Sequence, residues 1–468
     1  MNNQSSVSLK KVAWPDYGKA MPVIMPGSGE ISDRIARCRR EMATRGITHL
    51  VVYGDREHFA NLLYLVHFDP RFEEALLLID GTNNPLLLVG NECVSHLTVS
   101  PLFLAGHLRY ERYQPFSLLS QPRDESRQLS DIFREEGIGT GATVGCVGWK
   151  YFQQSEFRQP TLAIDLPAFI TDELRDLCGR ENVVNATDLL MSPVDGLKAT
   201  CTPFEIAQFE FSNCMASDGM TSFLRNFTTG VTDFEMAKHY QYTGYPLGCH
   251  TGLKSSANLH IGLSSPAGGE IRLGDPCSTN ISYWGSNICR AGWVASSEAD
   301  LPESARGYVA EFASLYFLAC VQWLQQLRPG ARGGDIYELI QELLPFDKFN
   351  VFLNPGHLIH FEEWTTSPIY KDSNDTIKSG MYFQLDIIPR SKQFFSSRME
   401  DGYVVADAAL QQALADQYPE TYARCMARRN FMRDTLGIDM PAEILPLSNT
   451  AGLVPPFFLD YQTVFSLK

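Results

Sequence analysis

Apolar and polar positions along this chain switch between two periods, and the switches mark its elements. A helical period over Ile31 to Arg45 predicts an amphipathic helix. The apolar run His49 to Tyr53 then reads as a strand, as do Glu74 to Asp80, stopped by Gly81, and Pro85 to Val89. Strand-like Ala142 to Val147 and helical Asp165 to Leu177 continue the alternation, which predicts a layered α/β unit, a mixed sheet with helices. That first domain, residues 1–195, is expected to end at Ser192-Pro193-Val194-Asp195-Gly196, a stretch rich in turn formers.

A second domain, residues 196–468, opens with a long helical pattern from Pro203-Phe204-Glu205. Thr232-Asp233-Phe234-Glu235 has the form of a capping box, in which hydroxyl and carboxylate satisfy orphan amides at a helix start. A long helix from about Glu303 to Gln326 and a shorter one after Gly334-Asp335 follow. Strands return at Met381 to Ile388 and Gly402 to Val405, and a last helix is predicted over Ala408 to Met432, so this half reads as α+β. The short apolar segment after Gly437, ending Pro455-Pro456-Phe457-Phe458-Leu459-Asp460-Tyr461, is expected to pack against the body or a dimer mate.

Composition narrows the partners. A length of 468 residues exceeds what one hydrophobic core serves, which supports two domains. A formal net charge of -15, with no basic block, would repel a phosphate backbone and argues against nucleic acid. The first residues lack the apolar core of a signal peptide, and no stretch approaches the roughly 18 apolar residues of a membrane span. Eleven cysteines without a C-x-x-C pair suggest neither a disulfide framework nor a zinc knuckle. A soluble protein of the reducing cytoplasm, with no membrane partner, is the expectation.

Five short segments of the second domain carry a resemblance. Ser255-Ser256-Ala257-Asn258-Leu259-His260 ends a small-residue strand on a histidine, and Gly274-Asp275 precedes a strand whose key position is Asn280. That second segment closes at Ser286-Asn287-Ile288-Cys289-Arg290, and Asn354-Pro355-Gly356-His357, Gly380-Met381-Tyr382-Phe383-Gln384-Leu385-Asp386 and Ser397-Arg398-Met399-Glu400-Asp401 follow in order. Together they resemble the pita-bread family of creatinase, aminopeptidase P and prolidase: a creatinase-like N-terminal domain and a pita-bread catalytic domain. In metal-dependent members, two aspartates stand where this chain has Asn280 and Asn287, and a second catalytic histidine stands where it has Trp364. The ligand glutamate is shortened to Asp386, whereas His357, Arg398 and Glu400 match the family pattern.

A paired-metal hydrolase holds its ions with bridging carboxylates, which neutral carboxamides cannot replace. The resemblance therefore implies a divergent member closest to the metal-independent creatinase and ectoine hydrolase, with no cofactor. The alternative is a single divalent ion (Mn, Fe or Zn) on His357, Asp386 and Glu400. The implied function is hydrolysis, or elimination, at a C–N bond of a small guanidino, amidine or amide compound. His260 acts as general acid and base, with Asp386 or Glu400 orienting it and His357 completing the catalytic set. Asn280, Asn287, Cys289, Trp364 and Arg398 line the substrate site. Cys289 reads either as a nucleophile or, by the burial habits of thiols, as a core residue. Trp364, with Tyr283 and Trp284, reads either as an aromatic wall for a cation or as core.

In the first domain, Asn61-Leu62-Leu63-Tyr64-Leu65 and Phe68-Asp69-Pro70-Arg71-Phe72-Glu73-Glu74 resemble a region that reaches a neighbour's site in family dimers. A homodimer is implied, with Arg71 on substrate; an arginine on a solvated edge is the other reading. Two competing functions are a one-metal enzyme akin to aminopeptidase P or the dimethylsulfoniopropionate lyase, and an inactive pseudopeptidase binding module.

Overall fold

A computed structural model describes residues 7–257 and 264–468. The chain divides into two compact units, one of residues 25–199, the other of residues 200–468 together with the opening residues up to 24.

The first of these is built on a six-stranded sheet. Its strands run in the order Arg109–Arg112, Leu86–Val89, Ala75–Asp80, His49–Gly54, Val144–Val147 and Val183–Asn185. Pairing is mixed: His49–Gly54 lies antiparallel to Ala75–Asp80 and parallel to Val144–Val147. Leu76, Leu77, Leu78 and Ile79 are all buried, so both faces of their strand are covered, which is why the run is apolar without alternation. Ser28–Thr44 and Ala168–Cys178 are helices, close to the segments their periodicity predicts.

The second unit carries two four-stranded sheets. One has the order Arg398–Glu400, Ser286–Trp293, Pro276–Tyr283, Gly252–Ser255; the other has His357–Leu358, Tyr382–Gln384, Gly402–Val405, Ile444–Pro446. Consecutive strands Arg398–Glu400 and Gly402–Val405 belong to different sheets, so the chain passes from one to the other at Asp401. That corner is pinned by Arg290, whose Nη2 donates to Asp401 Oδ2 at 2.8 Å with both side chains buried, while Ser448 and Thr450 hydroxyls donate to Oδ1. Helix Pro203–Arg225 starts at Thr202 with a complete capping box to Glu205, and Thr232 with Glu235 forms the box its sequence predicts.

Several boundaries differ from the sequence pattern. Residues 7–24 group with the second unit because Val7–Lys11 pairs antiparallel with Thr463–Leu467, which also places the apolar tail on the body of its own chain. The strand expected over Met381 to Ile388 keeps a ladder only at Tyr382–Gln384. The last helix is two, Ala408–Gln417 and Pro419–Leu436: Pro419 has no N–H to continue the first and holds Tyr418 out of helical geometry (φ -137°, ψ 62°). Glu303–Gln326 is long and apolar enough to cross a membrane by length and composition, with mean hydropathy 1.2, against the expectation of no such run. Its apolar side chains Tyr308, Phe312, Phe317 and Trp323 are fully buried within the unit.

Candidate active site

The site arises from the registers of the two sheets. Asn280 pairs with Cys289 across the Pro276–Tyr283 and Ser286–Trp293 hairpin, and Cys289 pairs with Glu400 on the next strand. Side chains directly opposed share a face, and alternation adds Asn287, two residues from Cys289, to it. On the second sheet His357 is opposed to Gln384, and two residues further Asp386 returns to the face of Gln384. Five dispersed segments thereby deliver Asn280, Asn287, His357, Asp386, Arg398 and Glu400 to one place.

Their polar atoms form a chain of contacts. Asn280 Nδ2 donates to Asn287 Oδ1 at 3.4 Å, and Asn287 Nδ2 donates to Glu400 Oε1 at 2.8 Å. Arg398 Nη2 donates to Asp386 Oδ1 at 3.0 Å and to Glu400 Oε2 at 3.3 Å. His357 lies flat on Trp364, ring centroids 4.0 Å apart at 18°, and its Nδ1 is 3.2 Å from the Leu358 carbonyl. Its Nε2 stands 3.3 Å from Glu363 Oε1 and 3.9 Å from Asp386 Oδ2, without hydrogen-bond geometry to any described atom.

These neighbours reset the ionisations. Burial opposes a charged His357, but Glu363, then Asp386 and Glu400, outweigh it and raise its pKa to about 9. Burial, then the charge of Asp386, pushes the Glu400 carboxyl well above the usual range. Burial also pushes Glu363 upward, yet His357, Arg398 and Asn287 prevail and hold it below its ordinary value. Burial works against the Arg398 charge, but Cys289, Asp386 and Glu400 keep it firmly cationic.

The donor set decides what ions fit. A pair of divalent ions does not: the hairpin contributes only neutral carboxamides, Asn280 and Asn287, to the cluster, and the amide nitrogen of Asn287 is turned to Glu400. A single ion fits in ligand number, because ligating atoms of His357, Asp386 and Glu400 lie within 4.8 Å of one another. Cys201, Glu205 and His360 satisfy the same distance, but Glu205 accepts the Thr202 amide as the helix cap and stands 3.2 Å from His360 Nε2, a structural pairing.

Comparison with solved structures now places the architecture. Residues covering 80% of this chain superpose on 95% of the prolidase from Pyrococcus horikoshii OT3, with TM-score 0.60 and 14% identity. The Xaa-Pro dipeptidase from Bacillus anthracis matches over 81% of this chain and 96% of its own, with TM-score 0.60 and 13% identity. The X-Pro aminopeptidase from Thermotoga maritima MSB8 gives TM-score 0.58 and 14% identity over 80% and 95%. This chain has the pita-bread fold. No family sequence model and no curated protein matches it, so the pita-bread assignment is one of fold.

Within that pita-bread unit most of the expected site residues meet; others do not. His260 lies outside the described residues. Arg71 belongs to the other unit, half-exposed, in the left-handed region (φ 59°) and 3.4 Å from Asp69 Oδ2. Cys289 is fully buried, and burial, then Glu400, drives its thiol well above the usual range, which favours the core reading over a nucleophile. Tyr283 belongs to the hydrophobic core and Trp284 packs on Tyr245 and Phe361, whereas Trp364 touches the charged cluster. Asp386 and Glu400, expected to hold a cationic substrate group, are already held by Arg398. Glu363 is the member whose place in the cluster its sequence spacing does not show. Cys249, the one cysteine not buried, also stands here, with Asn280 Nδ2 at 3.7 Å from its sulfur.

Proposed function

We propose that this chain is a hydrolase that cleaves a C–N bond in a small guanidino, amidine or amide compound without a metal ion. One observation carries this reading: Arg398 lies between Asp386 and Glu400 and hydrogen-bonds both. A tethered guanidinium there balances the carboxylates that would otherwise call for a divalent cation. The names of the structural neighbours, a prolidase, a dipeptidase and an aminopeptidase, support hydrolysis of a C–N bond in general terms.

In this reading His260 takes a proton from water as it attacks the carbon and returns it to the leaving nitrogen; its sequence context supports the role. His357, held as imidazolium by Glu363, donates toward negative charge developing on the substrate. Asn280 and Asn287 orient Glu400 through their relay of hydrogen bonds. A homodimer is part of the proposal, supported by the resemblance around Arg71, and sedimentation velocity at twice the chain mass would bear it out.

A second reading is favoured by the buried, unbonded Nε2 of His357: a one-ion enzyme of the aminopeptidase P type, or a lyase. His357, Asp386 and Glu400 would hold the ion, which when bound supplies Lewis-acid polarisation of a substrate oxygen or water. Arg398 would then have to leave two of its hydrogen bonds. Elemental analysis of protein purified without chelators separates the two. Absence of metal, with turnover on a guanidino, amidine or amide substrate that His260→Ala abolishes, is expected; near one equivalent of manganese, iron or zinc overturns the metal-free reading.

A further inference from the structure

The three acidic side chains of the cluster are not equally available to a ligand. Asp386 spends Oδ1 on Arg398, and Glu400 spends Oε2 on Arg398 and Oε1 on Asn287. Their side chains are 7% and 1% exposed. Glu363 differs on both counts. Its side chain is 24% exposed, and both its contacts fall on Oε1: an ion pair with His357 Nε2 at 3.3 Å and a long hydrogen bond from Asn287 Nδ2 at 3.5 Å. Oε2 makes no hydrogen bond or ion pair with any described residue.

We propose that Glu363 is the specificity-determining residue of this site, its carboxylate receiving the cationic amidine or guanidine head of the substrate. The inference rests on the hydrolase reading above and deepens it by naming the substrate class and the group that selects it. The loop His360 to Trp364 brings the negative charge of Glu363 beside the neutral strand residue Asn287. An amidinium offers paired N–H donors that match a carboxylate in charge and geometry, and a neutral amide loses the charge while keeping the shape. Trp364, half-buried beside it and stacked on His357, leaves an apolar flank for the ligand's body.

Acetamidinium chloride and acetamide, equal in shape and different in charge, are the probes, titrated against the full chain by calorimetry and thermal shift with sodium chloride as the ionic-strength control. Wild-type protein is expected to bind acetamidinium and to discriminate against acetamide. Glu363→Gln is expected to lose about tenfold or more in acetamidinium affinity, the loss of one charge-assisted contact, with no change toward acetamide. Glu363→Asp, which keeps the charge on a shorter arm, is expected to fall between them and serves if the glutamine variant does not fold. Equal acetamidinium affinity in wild type and Glu363→Gln overturns the proposal, as does wild-type protein that binds acetamide as well as acetamidinium or neither. Metal content of the same preparations keeps the two failures apart: an ion-bearing protein that still loses acetamidinium on Glu363→Gln overturns the metal-free reading and leaves Glu363 standing.

Discussion

Arg398 is the residue on which the chemistry of this centre turns. It is 13% exposed and hydrogen-bonded to two acidic side chains that are themselves buried, so its removal takes away the one guanidinium that bonds both Asp386 and Glu400. Truncating one partner of such a group is costly because the desolvation of the others is no longer offset. Arg398→Met is therefore expected to lower unfolding free energy by about 3 kcal/mol, read as a shift of the urea midpoint at constant m-value. An unchanged midpoint would mean that the carboxylates are hydrated rather than held by the guanidinium. Asn280 and Asn287 were legible in sequence as site residues through the family resemblance of the segments that carry them. Glu363 was not, since it reaches His357 from a loop that no periodic pattern places. The polar chain Asn280 to Asn287 to Glu400 was equally invisible: it depends on cross-strand register.

At the scale of elements, the helix pair Pro203–Arg225 and Pro419–Leu436 is tied by a second buried charge network. Glu210 accepts from Arg424 at 2.8 and 2.7 Å and from Arg428 Nη2 at 2.6 Å. Burial raises the Glu210 carboxyl, but the two arginines outweigh it and hold it below its ordinary value of 4.5. A depressed folded pKa contributes stability that is complete above the unfolded value and is lost as pH falls through the folded one. Wild-type protein is thus expected to lose stability from about pH 4.5 downward, and Glu210→Gln to be less stable at pH 7 by about 3 kcal/mol with a shallower acid slope. Denaturation at a series of pH values checks both; parallel curves would assign the acid sensitivity to other groups. Helix starts were readable here, because Thr202 and Thr232 announce themselves by the residue three places on. The split at Pro419 was equally written in the chain, although the apolar pattern runs across it.

For the whole molecule, the chain crosses between its compact units after residues 24 and 199. Residues 25–199 contain a complete six-stranded sheet and a core cluster around Val51, Leu76, Leu88, Phe133, Val144 and Leu174. That fragment alone is expected to fold and to give a single cooperative thermal transition. The complementary fragment 200–468 is expected to be less stable than the full chain, because Thr463–Leu467 loses the Val7–Lys11 strand and presents an open edge. A fragment 25–199 without cooperative melting would contradict the division.

The sequence alone determined the alternation of elements and the helix caps, because each rests on neighbours a few residues apart. Tertiary structure decided the rest. Tertiary contacts bring Arg398 onto Asp386 as well as its strand neighbour Glu400, leave Glu363 partly exposed, and pair Val7–Lys11 with Thr463–Leu467. Contacts across such separations depend on which faces the folded sheets bury together, and no local period along the chain encodes that.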